Sequence, residues 1–208
     1  MGEVIRAMLF LAAFVITGSV ATAGDQSANT KGFRVINVTT DSASGWLPSE
    51  ALDEEAQTTL KAYFRLFDIG NDRAAWDLTT VGFKGVTPFP EFRLANQHSR
   101  RELGRLRQLD VLRVTWTKDP ANAPAPGIYV AIDIAGQFSK SKRHCGYVVL
   151  FKTKESDPFR LARIESNFMT DKTARKIAAG KSPAEVALMW SKLSANCPNY
   201  VGPENSAL

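Results

Sequence analysis

Tyr129 and Asp133 are the two residues whose types and spacing best suit acid–base chemistry. They lie four residues apart in the alternating segment Ile128–Phe138, so both side chains point to one face of a predicted strand. On a face shielded from water, Asp133 would have a raised pKa and could act as a general base beside the Tyr129 hydroxyl. The opposite face of this strand is aliphatic and is therefore more suited to pack against the core. In that case Tyr129 and Asp133 would both face water.

His98 is a third candidate site residue. It could complete a polar pocket with Arg101 at the end of a predicted helix, although a partly exposed helix position explains it more simply. Arg100 or Arg101 is expected to form a structural ion pair with Glu102 or Asp110. The sequence has no glycine-rich phosphate loop, serine-nucleophile elbow or zinc signature, so we predict no cofactor and no metal.

Cys145 and Cys197 are the only two cysteines of the chain. In an oxidising compartment an isolated pair is most simply one disulfide. A metal site would need four ligands at a recognisable spacing, which His98 and His144 do not supply. A Cys145–His144 nucleophile pair is disfavoured, because neighbours on a strand point to opposite faces.

The first residues predict export. Residues 7–16 form an unbroken apolar run, which Ala21-Thr22-Ala23 follows as a small-x-small cleavage site. A run of this length is too short to cross a hydrocarbon core, which needs about 20 residues. We therefore predict cleavage between Ala23 and Gly24 and a periplasmic or secreted protein without a stable membrane anchor.

The net charge of +5 is modest for a protein of 208 residues. One basic cluster contains Arg100, Arg101, Arg105 and Arg107, and a second contains Lys140, Lys142 and Arg143. The first cluster spreads around a helix rather than along one stripe, so we predict no nucleic-acid partner. A weak attraction to anionic envelope lipids or glycans is more compatible with this charge.

The apolar spacing predicts a strand, three helices, four strands and two further helices, in that order. The first strand covers residues 33–39, the first helix starts after Ser49, a short helix contains Ala75 and Trp76, and the third helix covers residues 91–108. The four strands cover residues 109–117, 128–138, 147–153 and 159–168, with a bulge expected at Gly136. The last two helices cover residues 171–179 and a segment that opens with the capping box at Ser182.

This order predicts an α+β fold with helices packed on a curved, antiparallel, four-stranded sheet. It resembles the cystatin-like cone of the nuclear transport factor 2-like superfamily, in which the concave side often leaves a pocket. We divide the chain into a signal peptide (1–23), an N-terminal strand and linker (24–47), the cone-fold domain (48–169) and a helical C-terminal extension (170–208).

Three segments carry a further resemblance. They are Ala75-Trp76-Asp77 with Phe83-Lys84 and Val86-Thr87, Arg100-Arg101 with Gly104 and Arg107, and Pro126-Gly127-Ile128-Tyr129-Val130 with Phe138. This pattern, over about residues 60–168, resembles a bacterial family of exported proteins named domain of unknown function 4019. Cys145-Gly146-Tyr147 departs from the acidic residue expected there, and Phe159-Arg160-Leu161 departs from an expected tryptophan. The resemblance implies a small cone fold behind a signal peptide, with no established activity and no site residues.

The sequence favours an exported, non-catalytic envelope domain that binds a small ligand or a protein partner. The alternative is a small cone-fold isomerase or hydrolase that uses Asp133 as base with Tyr129 as the oxyanion donor. The identity of the partner is not encoded in any motif. A homodimer formed through the sheets is compatible with the resemblance.

Overall fold

The computed structural model describes residues 36–197 and residue 200. The predicted signal peptide, its cleavage site between Ala23 and Gly24 and residues 24–35 of the predicted N-terminal strand and linker lie outside the described residues. Residues 198–199 and 201–208 lie outside them as well.

The first half of the described chain forms four helices: α1 (Glu50–Ile69), α2 (Asp72–Asp77), α3 (Val81–Val86) and α4 (Phe89–Leu103). Side-chain caps set where they begin. The Leu52 N–H donates to Ser49 Oγ at 3.3 Å, as the predicted cap requires. Asn71 and Thr80 cap α2 and α3 in the same way. Gly70, with φ of 78°, ends α1 in the left-handed conformation.

Two helix predictions are wrong. Helix α3 was not predicted, and α4 covers Phe89–Leu103 rather than residues 91–108. Pro90 is tolerated at the second position of α4, because a first-turn residue has no intrahelical partner for its N–H. The helix stops at Gly104, whose φ of 76° breaks the helical conformation, so that residues 106–108 already belong to a strand.

The second half is dominated by one open sheet in the order β1–β2–β3–β4–β5. The strands are β1 (Ile36–Val38), β2 (Leu106–Lys118), β3 (Ile128–Phe138), β4 (Ser141–Lys152) and β5 (Arg160–Met169). Strands β2 to β5 are antiparallel neighbours, as predicted. The predicted number of four strands is corrected to five, because β1 pairs in parallel with β2. The Thr39 and Ala43 N–H groups extend this pairing by donating to the Trp116 and Lys118 carbonyls.

Strand β4 is longer than predicted. The predicted strand begins at residue 147, but Ser141, Arg143 and His144 already belong to β4 and are buried. Ser141 Oγ lies 3.0 Å from both the Arg143 and the Met169 carbonyl oxygens, which explains how a polar side chain fits there. Cys145, which precedes the predicted strand, therefore lies inside β4, opposite Ala135 and Asn167. The expected irregularity in β3 is present, between Gly136 and Phe138.

The core lies between helices α1 to α4 and one face of the sheet. The aliphatic face of β3 is its centre, since Ile128, Val130, Ile132 and Ile134 are each at most 2% exposed. They share a cluster with α1, α2, α3 and α4 residues, among them Leu60, Tyr63, Ala75, Phe83 and Phe92. Burying one such large side chain contributes about 1.5–3 kcal/mol. The predicted core wall is thus confirmed, and Tyr129 and Asp133 point away from α1 to α4.

Two helices follow the sheet, α5 (Asp171–Ala178) and α6 (Pro183–Leu193), and a short 3-10 turn closes the described segment. The predicted capping box at Ser182 is confirmed. Ala174 and Trp190 pack in a second cluster with Cys145 and Cys197. The two cysteine sulfurs lie 2.09 Å apart, at disulfide distance. None of the helices described is long and apolar enough to cross a bilayer.

Candidate functional site

The structure does not bring Tyr129 and Asp133 together. Their positions on β3 are separated by about 13 Å along the strand. Asp133 lies opposite Arg113 and Tyr147, whereas Tyr129 lies opposite Thr117 and Phe151. The Tyr129 hydroxyl donates to the Ala125 carbonyl oxygen at 2.7 Å. Burial raises the pKa of Tyr129. This tyrosine therefore anchors the loop before β3.

A polar cluster that the sequence analysis missed lies next to Asp133 on the same sheet face. The Tyr147 hydroxyl donates to Glu165 Oε1 at 2.8 Å, and Arg163 Nε donates to the same oxygen at 2.9 Å. The Arg163 guanidinium also lies over the Tyr147 ring, 5.1 Å from its centroid. Burial first, and the bond to Glu165 second, raise the pKa of Tyr147. Tyr147 therefore remains protonated and donates its hydrogen bond. The cluster was missed because the register between strands brings its members together, and no sequence motif marks them.

His98 is half-buried on α4, and its Nε2 has no hydrogen-bond partner among the described residues. It does not share a pocket with Asp133, which lies on the sheet face turned away from α1 to α4. Arg101, its predicted partner in a polar pocket, does line a cavity at the end of α4, but His98 is not among the residues around that cavity.

Arg100 forms a buried ion pair with Asp72, not with the predicted Glu102 or Asp110. Its Nη1 and Nη2 donate to the two Asp72 carboxylate oxygens at 2.6 and 2.8 Å. Nη1 also donates to the Phe67 carbonyl oxygen at 3.2 Å. The approach of α2 to α4 depends on helix packing, which the spacing of residues along the sequence does not show. This pair fixes α2 against α4 and has a structural role.

His144 and Cys145 point to opposite faces of β4, as the alternation predicts. His144 Nε2 lies 2.7 Å from Ser166 Oγ, and the ring packs edge-on against Phe138. Burial lowers the pKa of His144 to about 4. Cys145 instead lies beside Cys197 in the C-terminal cluster. The two residues cannot act as a thiol–imidazole pair.

A groove with a volume of about 400 Å³ opens where three elements meet. We name it the α4–α5 groove. Its walls are the end of α4, the β3–β4 turn and the start of α5, with the residues Arg101, Glu102, Ser139, Lys140, Thr170, Asp171, Lys172 and Arg175. It therefore joins the two basic clusters that the sequence placed 39 residues apart, through Arg101 and Lys140.

Hydrogen bonds between the three elements fix the walls of the groove. Lys140 Nζ donates to the Arg101 carbonyl oxygen at 2.8 Å. The Asp171 N–H donates to the Lys140 carbonyl oxygen at 2.8 Å, and the Lys142 N–H donates to Asp171 Oδ1 at 3.1 Å. The Lys140 N–H donates to the Leu103 carbonyl oxygen, which ties the turn to α4.

The groove has an excess of positive charge. Four cationic and two acidic side chains line it. The ion pairs of the described residues include none of these four cations. In the described part of the chain, no three His, Cys, Asp or Glu side chains converge so that they could hold a metal ion. The arrangement can therefore offer hydrogen-bond donors and positive charge to a ligand.

These features define a class: an α+β domain with four helices on one face of an open five-stranded sheet and a basic groove at one end. The chain belongs to the family described as Protein of unknown function (DUF4019), which matches residues 59–162. The match runs from α1 into β5, so it includes Arg101 and Lys140 but not the α5 wall of the groove. No curated protein and no solved structure matches the chain.

Proposed function

We propose that this protein is an exported, non-catalytic binding domain whose small ligand occupies the α4–α5 groove. The observation that carries the proposal is the composition of the groove, in which all eight lining residues are polar or charged. No histidine or cysteine is among them, and the one serine, Ser139, accepts the Arg105 N–H with its Oγ at 3.0 Å. Such a lining offers charge and hydrogen-bond donors that can bind and orient a ligand.

The positions of Asp133 and Tyr129 also favour binding over catalysis. An isomerase or hydrolase would need the carboxylate and the hydroxyl to reach the same substrate atoms. Here the Tyr129 hydroxyl is engaged by the Ala125 carbonyl oxygen, and the two residues pair with different neighbours across the sheet.

We further propose that the fold is a cystatin-like cone of the nuclear transport factor 2-like superfamily. Four helices packed on one face of a sheet whose strands β2 to β5 are antiparallel support this assignment. Export is supported by the cysteine pair at disulfide distance, since such bonds persist in oxidising compartments. Intact mass of the protein recovered from the cell envelope tests export, because cleavage between Ala23 and Gly24 removes 23 residues. A species that retains Met1 contradicts it.

Occlusion of the groove tests the binding proposal. Small molecules of neutral, cationic and anionic classes would be screened against isotope-labelled protein by changes in amide chemical shifts. We expect the largest changes at Ser139, Lys140 and Lys172 for the molecules that bind. Lys172→Trp should abolish these changes because it places a bulky ring inside the groove.

Lys176→Trp is the matched control, since Lys176 is exposed on the same helix and does not line the groove. This variant also replaces a lysine charge with a bulky ring, but outside the groove. Equal binding by the two variants, or shift changes that map only to other surfaces, would refute the proposal.

A further inference from the structure

Resting on the function proposed above, we infer that the α4–α5 groove binds a small ligand with two or more negative charges on phosphate or carboxylate groups. The juxtaposition that carries this inference is that of Arg101 on α4, Lys140 on the β3–β4 turn, and Lys172 and Arg175 on α5. These cations come from three elements and surround one cavity.

The charges of the groove select the sign of the ligand. Asp171 is one of its two acids, and its carboxylate already accepts the Lys142 N–H at 3.1 Å. Lys140 Nζ donates to a carbonyl oxygen, which satisfies a hydrogen bond but does not neutralise its charge. Four cations against two acids leave an excess of two positive charges. Because a net excess of positive charge on a concave surface attracts anions, a ligand with two negative charges is the complement.

The lining also excludes a predominantly apolar ligand. None of the eight residues is aliphatic or aromatic, so burial of apolar surface cannot supply most of the affinity. Charge-assisted hydrogen bonds must supply it instead, and these are about twice as strong as neutral ones.

The geometry suits oxyanions of small size. Lys172 and Arg175 are three residues apart on α5, so they lie on one side of that helix. Arg101 approaches from α4, and a guanidinium presents paired donors that match the oxygens of phosphate and carboxylate. The volume of about 400 Å³ falls in the range of small-molecule sites, about 300–1,000 Å³.

Calorimetric titration of the oxidised protein at low salt tests the inference. The probes are pyrophosphate and citrate, with acetate as the singly charged comparison. We expect both multivalent anions to bind at least about tenfold more tightly than acetate. Affinity should fall as salt rises, because exposed charges are screened beyond about 8 Å at physiological ionic strength.

Paired variants separate the groove from general surface charge. Arg101→Gln with Arg175→Gln removes two charges from the groove and should weaken citrate binding at least about tenfold, the equivalent of one charge-assisted hydrogen bond. Arg93→Gln with Lys176→Gln removes two charges from exposed positions of the same two helices outside the groove. This control should change affinity less than about twofold, within the small coupling of screened surface charges.

Vesicles distinguish two sources of the same chemistry. Cardiolipin vesicles, compared with phosphatidylcholine vesicles, present two phosphates on one lipid headgroup, whereas citrate and pyrophosphate present the charges in solution. Binding in either arm that depends on Arg101 and Arg175 supports the inference. Equal weakening by the two double variants, or anions that bind no better than acetate, would overturn it. If only neutral molecules shift the groove amides, the inference fails and the proposed function stands; if no molecule shifts them, both fail.

Discussion

Asp171 joins the first turn of α5 to the β3–β4 turn through Lys140, whose carbonyl oxygen accepts the Asp171 N–H at 2.8 Å. The Asp171 carboxylate strengthens the same junction by accepting the Lys142 N–H at 3.1 Å. A negative side chain at this position also faces the positive end of the helix. The junction attaches the C-terminal helices to the sheet and forms one wall of the groove.

Removal of the Asp171 carboxylate should therefore loosen α5. Asp171→Ala is expected to destabilise the protein by about 1 kcal/mol, the contribution of one hydrogen bond. Hydrogen exchange of the α5 amides, together with urea denaturation, measures the effect. Asp171→Asn keeps an oxygen acceptor for the Lys142 N–H and should retain most of the stability. An alanine variant with unchanged α5 protection would show that the junction is held by other contacts.

Breaking the Asp72–Arg100 ion pair should destabilise the protein more than Asp171→Ala does. The Asp72 side chain is 6% exposed and that of Arg100 is 18% exposed, so Asp72→Asn would leave a guanidinium largely buried without its counter-charge. Breaking a buried pair from one side costs about 3 kcal/mol or more. Chemical denaturation measures this loss.

The matched control for that pair is Arg105→Gln, which breaks the ion pair with Asp68. The Arg105 side chain is 69% exposed. A surface pair contributes less than about 1 kcal/mol, so this variant should be nearly neutral. Similar losses for Asp72→Asn and Arg105→Gln would contradict the assignment of Asp72–Arg100 as a buried structural pair.

His144 should make the fold sensitive to mild acid. Burial lowers its pKa from 6.5 to about 4, so between these values the unfolded chain binds a proton that the folded chain does not. Its contribution to stability is fully present above pH 6.5 and is lost as the pH falls towards 4. The loss amounts to about 3 kcal/mol by pH 4, at about 1.4 kcal/mol for each pKa unit.

Urea denaturation at pH 7 and at pH 4.5 measures this dependence. His144→Gln should lower the stability at pH 7 and reduce the difference between the two pH values, because the group that titrates is gone. If His144→Gln and the parent protein lose the same stability on acidification, His144 is not the cause.

The correct predictions from sequence rest on local signals. Helix α1 follows from Ser49 as a cap and from apolar residues at three- and four-residue spacing. Helix α6 follows from the capping box between Ser182 and Glu185. Each signal lies within one turn, so a single sequence contains it.

The errors arise where distant partners decide the structure. His144 precedes the predicted start of its strand at residue 147, but Ser166 on the neighbouring strand gives it a hydrogen bond inside the sheet. Similarly, Arg101 and Lys140 belong to basic clusters that are separate in the sequence. They meet because the turn between β3 and β4 packs against the end of α4. Arg175 completes the groove only because α5 folds back onto that turn. Sequence spacing does not encode these distances, so the groove could not be predicted.

The cysteine pair supports the last prediction, that reduction loosens the C-terminal helices first. Cys145 lies inside β4, and Cys197 follows α6, with a sequence separation of 52 residues. Closing a loop of this length reduces the entropy of the unfolded chain and contributes about 4 kcal/mol in the chain-entropy treatment. For a protein of this size, the loss corresponds to a fall in Tm of about 10 °C.

Thermal denaturation with and without reductant measures this change, and hydrogen exchange locates it. Ala174 of α5 and Trp190 of α6 pack around the cysteine pair, whereas Trp116 belongs to the separate core between the helices and the sheet. We therefore expect α5 and α6 to lose protection, and the groove its ligand, while β2 stays protected. The double variant Cys145→Ala with Cys197→Ala should match the reduced protein without any reductant. An unchanged Tm on reduction, or loss of protection in β2 before α6, would contradict this prediction. Either result would mean that the Cys145–Cys197 disulfide does not hold α5 in its position beside the β3–β4 turn.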